Sequence, residues 1–168
     1  MSARLQTPAA IHELLRFLRT PKGMLLAILL LFALLAIPGQ GLADTLPGVA
    51  AAMATAALID IVVTRATRQK FEFPSGGLLT ALIIALVLRP QEAITVVILI
   101  TAIAIGSKHL LRTRWSNIFN PAALALVASS LLFATGQSWW GALPDLGLAG
   151  FAILVAAIAL VLKFFGVW

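Results

Sequence analysis

The sequence predicts an all-α integral membrane protein of about six transmembrane helices. Three observations carry that expectation. Hydrophobic residues make up 61% of the 168 residues and charged residues only 11%, where a soluble domain carries about 25% charge. The mean hydropathy is +1.06. The few charged residues bound apolar runs near the size of a membrane helix, and almost all the basic ones fall on one side of those runs.

Residues 1–21 read as a cytoplasmic amphipathic segment and residues 22–168 as a single transmembrane domain, with no room for a soluble one. Thr7 can cap a short surface helix and Pro8 can open it. Ile11, Leu14, Leu15 and Leu18 recur at helical spacing, while His12, Glu13, Arg16 and Arg19 lie mostly elsewhere, so the helix should rest on the cytoplasmic face. Thr20 and Pro21 separate it from the first span. No cleavable signal peptide is expected, because the first 23 residues hold Arg4, Arg16, Arg19 and Lys22 and no long apolar core.

The first apolar run covers 23–43, between Lys22 and Asp44, with its helix starting near Met24. The second covers 45–64 and is broken only by Asp60. The third and fourth cover 73–88 and 93–107. Both are shorter than the roughly 20 residues of a spanning helix, so they are either two spans with Arg89 and Lys108 snorkelling to the surfaces or a re-entrant pair. The fifth helix is expected over 119–135, followed by a loop with Gly136, Trp139, Trp140, Gly141 and Pro144. The sixth starts near 146 and runs past Lys163.

Charge tests this count. With the N-terminus in the cytoplasm, the inner segments hold Arg4, Arg16, Arg19, Lys22, Arg65, Arg68, Lys70, Lys108, Arg112, Arg114 and Lys163, and the outer ones only Arg89. That asymmetry places both termini in the cytoplasm and implies a multi-pass protein of a bacterial inner membrane. The net charge of +6 is then a topology and lipid signal. The basic residues are scattered through short loops, so no nucleic-acid partner is implied. Trp115 and Trp168 sit at predicted inner ends and Trp139 and Trp140 at the outer end, where tryptophan anchors to headgroups.

The same composition narrows the chemistry. The chain has no cysteine and no tyrosine, which excludes disulfides and thiolate-held iron–sulfur clusters within it. No histidine pair lies within the spans, so a bis-histidine haem is not expected. No Asp, Glu and His cluster has metal-ligand spacing, and no catalytic residue is assigned.

Four features remain as candidates. Asp60, late in the second run, is a functional hypothesis by its depth, against the plainer reading that it pairs with Arg65 or a neighbouring helix end. Ser75, Gly76 and Gly77, followed by Thr80, could expose backbone N–H groups at a helix start and bind an anion or phosphate. Gly106–His109, with Lys108, Arg112 and Arg114, is a basic loop suited to phosphate or anionic lipid. The segment Ser116–Ala123 contains Asn117, Asn120 and Pro121, where Asn120 can cap a helix and Pro121 can open it. A capped start away from water predicts that Asn120→Leu disturbs assembly or activity more than Asp60→Asn, at a cost of about 1–2 kcal/mol.

Taken together, Phe-Pro-Ser-Gly-Gly-Leu-Leu-Thr-Ala-Leu from Phe73, Ala-Ile-Gly-Ser-Lys-His-Leu from Ala104, and Asn-Ile-Phe-Asn-Pro-Ala-Ala from Asn117 resemble the N-terminal half of the RnfD/NqrB family. Its members are membrane subunits of the Rnf electron-transport complex and of the sodium-pumping NADH:quinone oxidoreductase. The resemblance covers about residues 12–143. It implies one half of an inverted-repeat architecture plus one helix, working beside other membrane subunits in a redox-linked complex. It also implies scaffolding, or noncovalent flavin (FMN or riboflavin) or quinone binding beside Ser75, Gly76, Gly77, Thr80, Lys108, Asn117 and Asn120. The Ser-Gly-Ala-Thr motif that carries covalent flavin in the family is not present in this chain. Ser107 is inserted between the Gly and Lys of the family's Ile-Gly-Lys-His segment.

Two other classes stay open from the sequence. One is a small-solute channel or transporter built on broken helices. Asn120-Pro121-Ala122 resembles a water-channel signature, but that signature needs two copies. The other is a cofactor-free accessory or assembly subunit. The strong charge bias argues against an antiparallel homodimer. Pairing is expected with a different subunit, or in parallel through Gly48, Ala50, Ala54 and Ala57.

Overall fold

Apolar runs of this size can hide their backbone polar groups only by forming helices, and a computed structural model of the chain consists of them. It describes residues 16–68, 73–112 and 117–164. The helices are α1 (Pro21–Gln40), α2 (Leu42–Arg68), α3 (Ser75–Val87), α4 (Ile94–Leu110), α5 (Pro121–Phe133) and α6 (Gly147–Phe164). Two short 3₁₀ turns, Trp140–Ala142 and Pro144–Leu146, precede α6. No strand occurs among the described residues, only the isolated bridges Leu88–Gln137 and Arg112–Asn117. The expected Thr7–Pro8 surface helix and the anchors Trp115 and Trp168 lie outside the described residues.

Pro21–Gln40, Leu42–Thr67 and Trp140–Phe164 are long and apolar enough to cross a membrane, and α3, α4 and α5 are shorter apolar helices. The first two begin a little before the expected positions. Thr20 caps α1, its Oγ1 accepting from Gly23 N–H at 3.1 Å, and Pro21 takes the first helical position. Lys22 therefore lies inside the first turn and is exposed there, as a snorkelling lysine can be. Gly41 alone separates α1 from α2. Its φ of +88° lets the chain reverse in one residue.

Successive helices run between two ends of one bundle. One end gathers Lys22 of α1, Asp60 and Thr64 of α2, Ser75 and Gly76 of α3, and Lys108 of α4. The other gathers Thr45, Leu88, Val97 and Trp140. Both α3 and α4 run from one end of the bundle to the other. At 13 residues, α3 is only about 20 Å long.

Small residues let the helices approach closely. Ala52 and Ala56 of α2, Ala81 and Ala85 of α3, Ala104 of α4 and Ala125 of α5 all lie in one buried cluster. A second cluster joins Phe32, Ala33 and Ala36 of α1 to Leu86, Trp140 and Leu143. With eight residues buried, α3 is the centre of the bundle. The buried face of α2 is Thr45, Ala52, Ala56 and Asp60. Ala50 and Ala54 of the expected pairing face are exposed, and Gly48 and Ala57 are half-buried.

α6 stands at the edge. Gly150 is its one buried residue, and Leu148 and Phe151 are 88% and 66% exposed. Exposed apolar side chains on every helix point to contact with a lipid bilayer.

Candidate functional site

Asp60 organises the first of the two ends. Its carboxylate is nearly buried, with 7% of the side chain exposed. Lys108 Nζ donates to both oxygens, at 2.8 and 2.9 Å. His109 Nε2 lies 2.8 Å from Oδ1, and because a carboxylate only accepts, the proton of that bond belongs to the imidazole. Gly77 N–H donates to Oδ2 at 3.2 Å. The carboxylate thus caps the N-terminus of α3 and pairs with two consecutive residues near the C-terminus of α4. An anion at a helix N-terminus is favoured by the helix dipole, and a cation at a C-terminus likewise.

Of the two partners that the sequence offers Asp60, the structure selects the neighbouring helix end, and the paired base is Lys108 in place of Arg65. The anion expected at Ser75–Gly77 is also a group of the chain itself: at Gly77 the position is taken by Asp60. Ser75 N–H turns back to the Phe73 carbonyl at 2.7 Å, and Thr80 Oγ1 donates to the Gly76 carbonyl at 3.0 Å. Phe17 packs edge-on against Phe73, with ring centroids 5.2 Å apart.

Beside this cluster lies a cavity of about 220 Å³ lined by Lys22, Asp60, Thr64, Phe73, Pro74, Ser75, Gly76, Lys108, His109 and Arg112. Six of the sequence candidates, Asp60, Ser75, Gly76, Lys108, His109 and Arg112, share it. Gly77 and Thr80 sit just behind in α3. Asn117 and Asn120 do not join them. Asn120 caps α5, its Oδ1 accepting from Ala122 N–H at 3.0 Å and Ala123 N–H at 3.3 Å. It lines a separate shallow recess with Phe119, Ala123, Leu124 and Val127. Both asparagines are exposed, so the cap is as expected but its surroundings are not sealed within the chain. Lys22 joins those six candidates in the cavity. It carried no signal beyond lying in a basic stretch, because convergence of helix ends is invisible to spacing.

The opposite end holds a second device. The last carbonyls of a helix have no partner within it. Leu88 N–H closes on Ile84, but Arg89 N–H turns away to Gly136. The Trp140 indole Nε1 supplies the missing donor to the Ala85 carbonyl at 2.7 Å. Ser138 N–H and Trp139 N–H donate to the Val87 carbonyl at 2.9 and 3.1 Å. The Glu92 carboxylate accepts from Gly136 N–H at 2.8 Å, and Gln40 Nε2 donates to Asp145 at 2.6 Å. Trp139 is 57% exposed, as a headgroup anchor should be, but Trp140 is 1% exposed. Trp140 is a core residue and helix cap, which corrects the expectation of a surface anchor: its neighbour already faces outward and the turn carries the next side chain inward.

A Cβ on Gly77 would lie 2.9 Å from Asp60 Oδ2 and 3.2 Å from its Cβ and Cγ, whereas one on Gly76 would meet only the flexible end of Lys108, at 3.2 Å. Gly77→Ala is thus expected to displace the pinned carboxylate and cost about 1–2 kcal/mol, the value of a helix cap. Gly76→Ala should stay near neutral. Thermal unfolding in detergent distinguishes them, and equal midpoints for the two variants would refute the cap.

Comparison of the chain with family models, curated proteins and solved structures finds no match.

Proposed function

We propose that the chain is a six-span, inner-membrane subunit of a redox-linked electron-transport complex of the Rnf and sodium-pumping NADH:quinone oxidoreductase kind, with scaffolding as its main role. The observation that supports this reading most is that two of the resembling segments meet. The Ser75–Gly77 helix start and the Gly106–His109 helix end are tied through Asp60. The third segment opens α5, whose entry lies beside the end of α4 through the Ile118 N–H bond to the Leu111 carbonyl, 3.0 Å long. Five packed helices with a sixth at the edge also suit one half of an inverted repeat plus one helix.

The residues set out for a flavin or quinone divide between two surfaces. The 220 Å³ cavity is smaller than the roughly 300–1,000 Å³ of ordinary ligand pockets. Because these residues lie on two separate surfaces of the described chain, a noncovalent flavin or quinone in such a complex would lie between this subunit and its neighbour. Isolation of the tagged chain from its native membrane, with identification of co-purifying subunits and an absorbance spectrum, tests the reading. Redox subunits should co-purify, with flavin absorbance in the complex and none in the separated chain. Solute flux from liposomes holding the chain alone, with no redox partner recovered, would sink it.

In the same reading both termini are cytoplasmic and Trp139–Asp145 faces outward, following the basic residues. Cysteine placed at Thr67 should stay protected from an impermeant maleimide in intact cells. Cysteine at Trp139 should label. The reverse pattern on this cysteine-free chain would overturn the topology.

A further inference from the structure

The polar cavity and an apolar groove lie about one helical turn apart on the same two helices. The groove, of about 400 Å³, runs between α1, α3 and α6, with walls that include Leu25, Leu29, Phe32, Leu79, Ile83 and Ile158. On α1, Lys22 is followed on the same side by Leu25, Leu29 and Phe32. On α3, Ser75 is followed by Leu79 and Ile83 at successive turns. At 1.5 Å rise per residue, the first groove residues on α1 and α3 follow the last cavity residues by about 5 Å along those helices.

The two parts have opposite character. The groove presents no polar surface at all. Among the described residues, the cavity carries Lys22, Lys108 and Arg112 against the single carboxylate of Asp60, an excess of positive charge. Asp60 already engages Lys108. Lys22 and Arg112 make no ion pair among the described residues. Arg112 brings a planar fork suited to phosphate oxygens, and Ser75 lines the same cavity. The mouth lies at the end of the bundle that bears the basic residues.

We propose that this composite site binds an anionic amphiphile, with a phosphate held by Lys22, Arg112 and Lys108 and a hydrocarbon tail in the groove between α1, α3 and α6. The tail fills the seam that leaves α6 so poorly packed, so the ligand docks that helix against the bundle. The inference needs only a membrane setting and does not depend on the redox reading. The phosphate could come from a phospholipid or from free phosphate; the adjoining apolar groove selects the lipid. A neutral-headed amphiphile such as a quinone leaves Lys22 and Arg112 unanswered.

The test uses the purified full chain in a maltoside detergent. Binding is titrated with dioleoylphosphatidylglycerol, dioleoylphosphatidylcholine and inorganic phosphate, read by native mass spectrometry and thermal unfolding. Phosphatidylglycerol should bind more tightly than phosphatidylcholine and raise the unfolding midpoint. Lys22→Gln with Arg112→Gln should weaken phosphatidylglycerol binding about 30-fold, with the lipid-free midpoint unchanged because both residues are exposed. Ile83→Trp, which fills the groove, should reduce phosphatidylglycerol binding and leave any response to inorganic phosphate intact. Should that variant fail to fold, Leu25→Trp fills the facing wall and carries the same expectation. Equal binding of the two lipids would overturn the proposal. So would inorganic phosphate stabilising as strongly as phosphatidylglycerol with the groove variants indifferent, which would mark a free-phosphate site.

Discussion

Asp60→Leu is expected to destabilise the detergent-solubilised protein by about 3–5 kcal/mol, the cost of leaving one partner of a buried ion pair unanswered. The substitution strands Lys108, 23% exposed, and removes the acceptors of His109 and of the α3 N-terminus. The matching double variant, Asp60→Leu with Lys108→Met, should recover much of the loss, because replacing both members of a buried pair by apolar groups is often close to neutral. Unfolding midpoints of the two singles and the double complete the cycle. Additive losses would show that Asp60 and Lys108 are not coupled. Asp60→Asn should fall between, keeping an acceptor for Gly77 N–H while losing the charge.

This order reverses the ranking that Asn120 deserves from sequence alone. Asn120→Leu removes two bonds from an exposed cap, and water can replace part of them, so its cost should be about 1 kcal/mol. A larger loss for Asn120→Leu than for Asp60→Asn would mean that another subunit covers the α5 start and excludes that water.

Trp140→Ala should lower stability by about 3–5 kcal/mol, as large-to-small changes at fully buried aromatics do. The indole fills the space between Phe32, Ala36 and Leu86 and caps Ala85. Trp140→Phe separates the two contributions: it keeps most of the volume and leaves the Ala85 carbonyl without its donor, at about 1–3 kcal/mol. If Trp140→Phe proves as stable as wild type by thermal unfolding, the cap contributes nothing and packing alone explains the residue. Gly141 belongs to the same fit, since a Cβ there would come within 2.5 Å of Leu86 Cβ.

Much of this was legible in the residues. The apolar runs predict six helices in nearly the right places, because in a chain this poor in charge each polar residue marks an end. The Asn120–Pro121 start of α5 and the Thr20–Pro21 start of α1 follow from local chemistry, since a cap bonds to residues two or three positions away. The alternation of helix direction follows from the basic residues. Legibility failed where the partner is distant in sequence. Asp60 meets Lys108 across 48 positions and Trp140 meets Ala85 across 55. Periodicity reports which face of a helix is apolar, and here it reports little, because α1 and α3 to α6 are apolar nearly all round. Which small-residue face packs inward, which tryptophan turns into the core, and which carboxylate closes the N-terminus of α3 were decided only by the tertiary structure. The reason is physical: a short central helix must have both ends capped by groups that other helices bring to it.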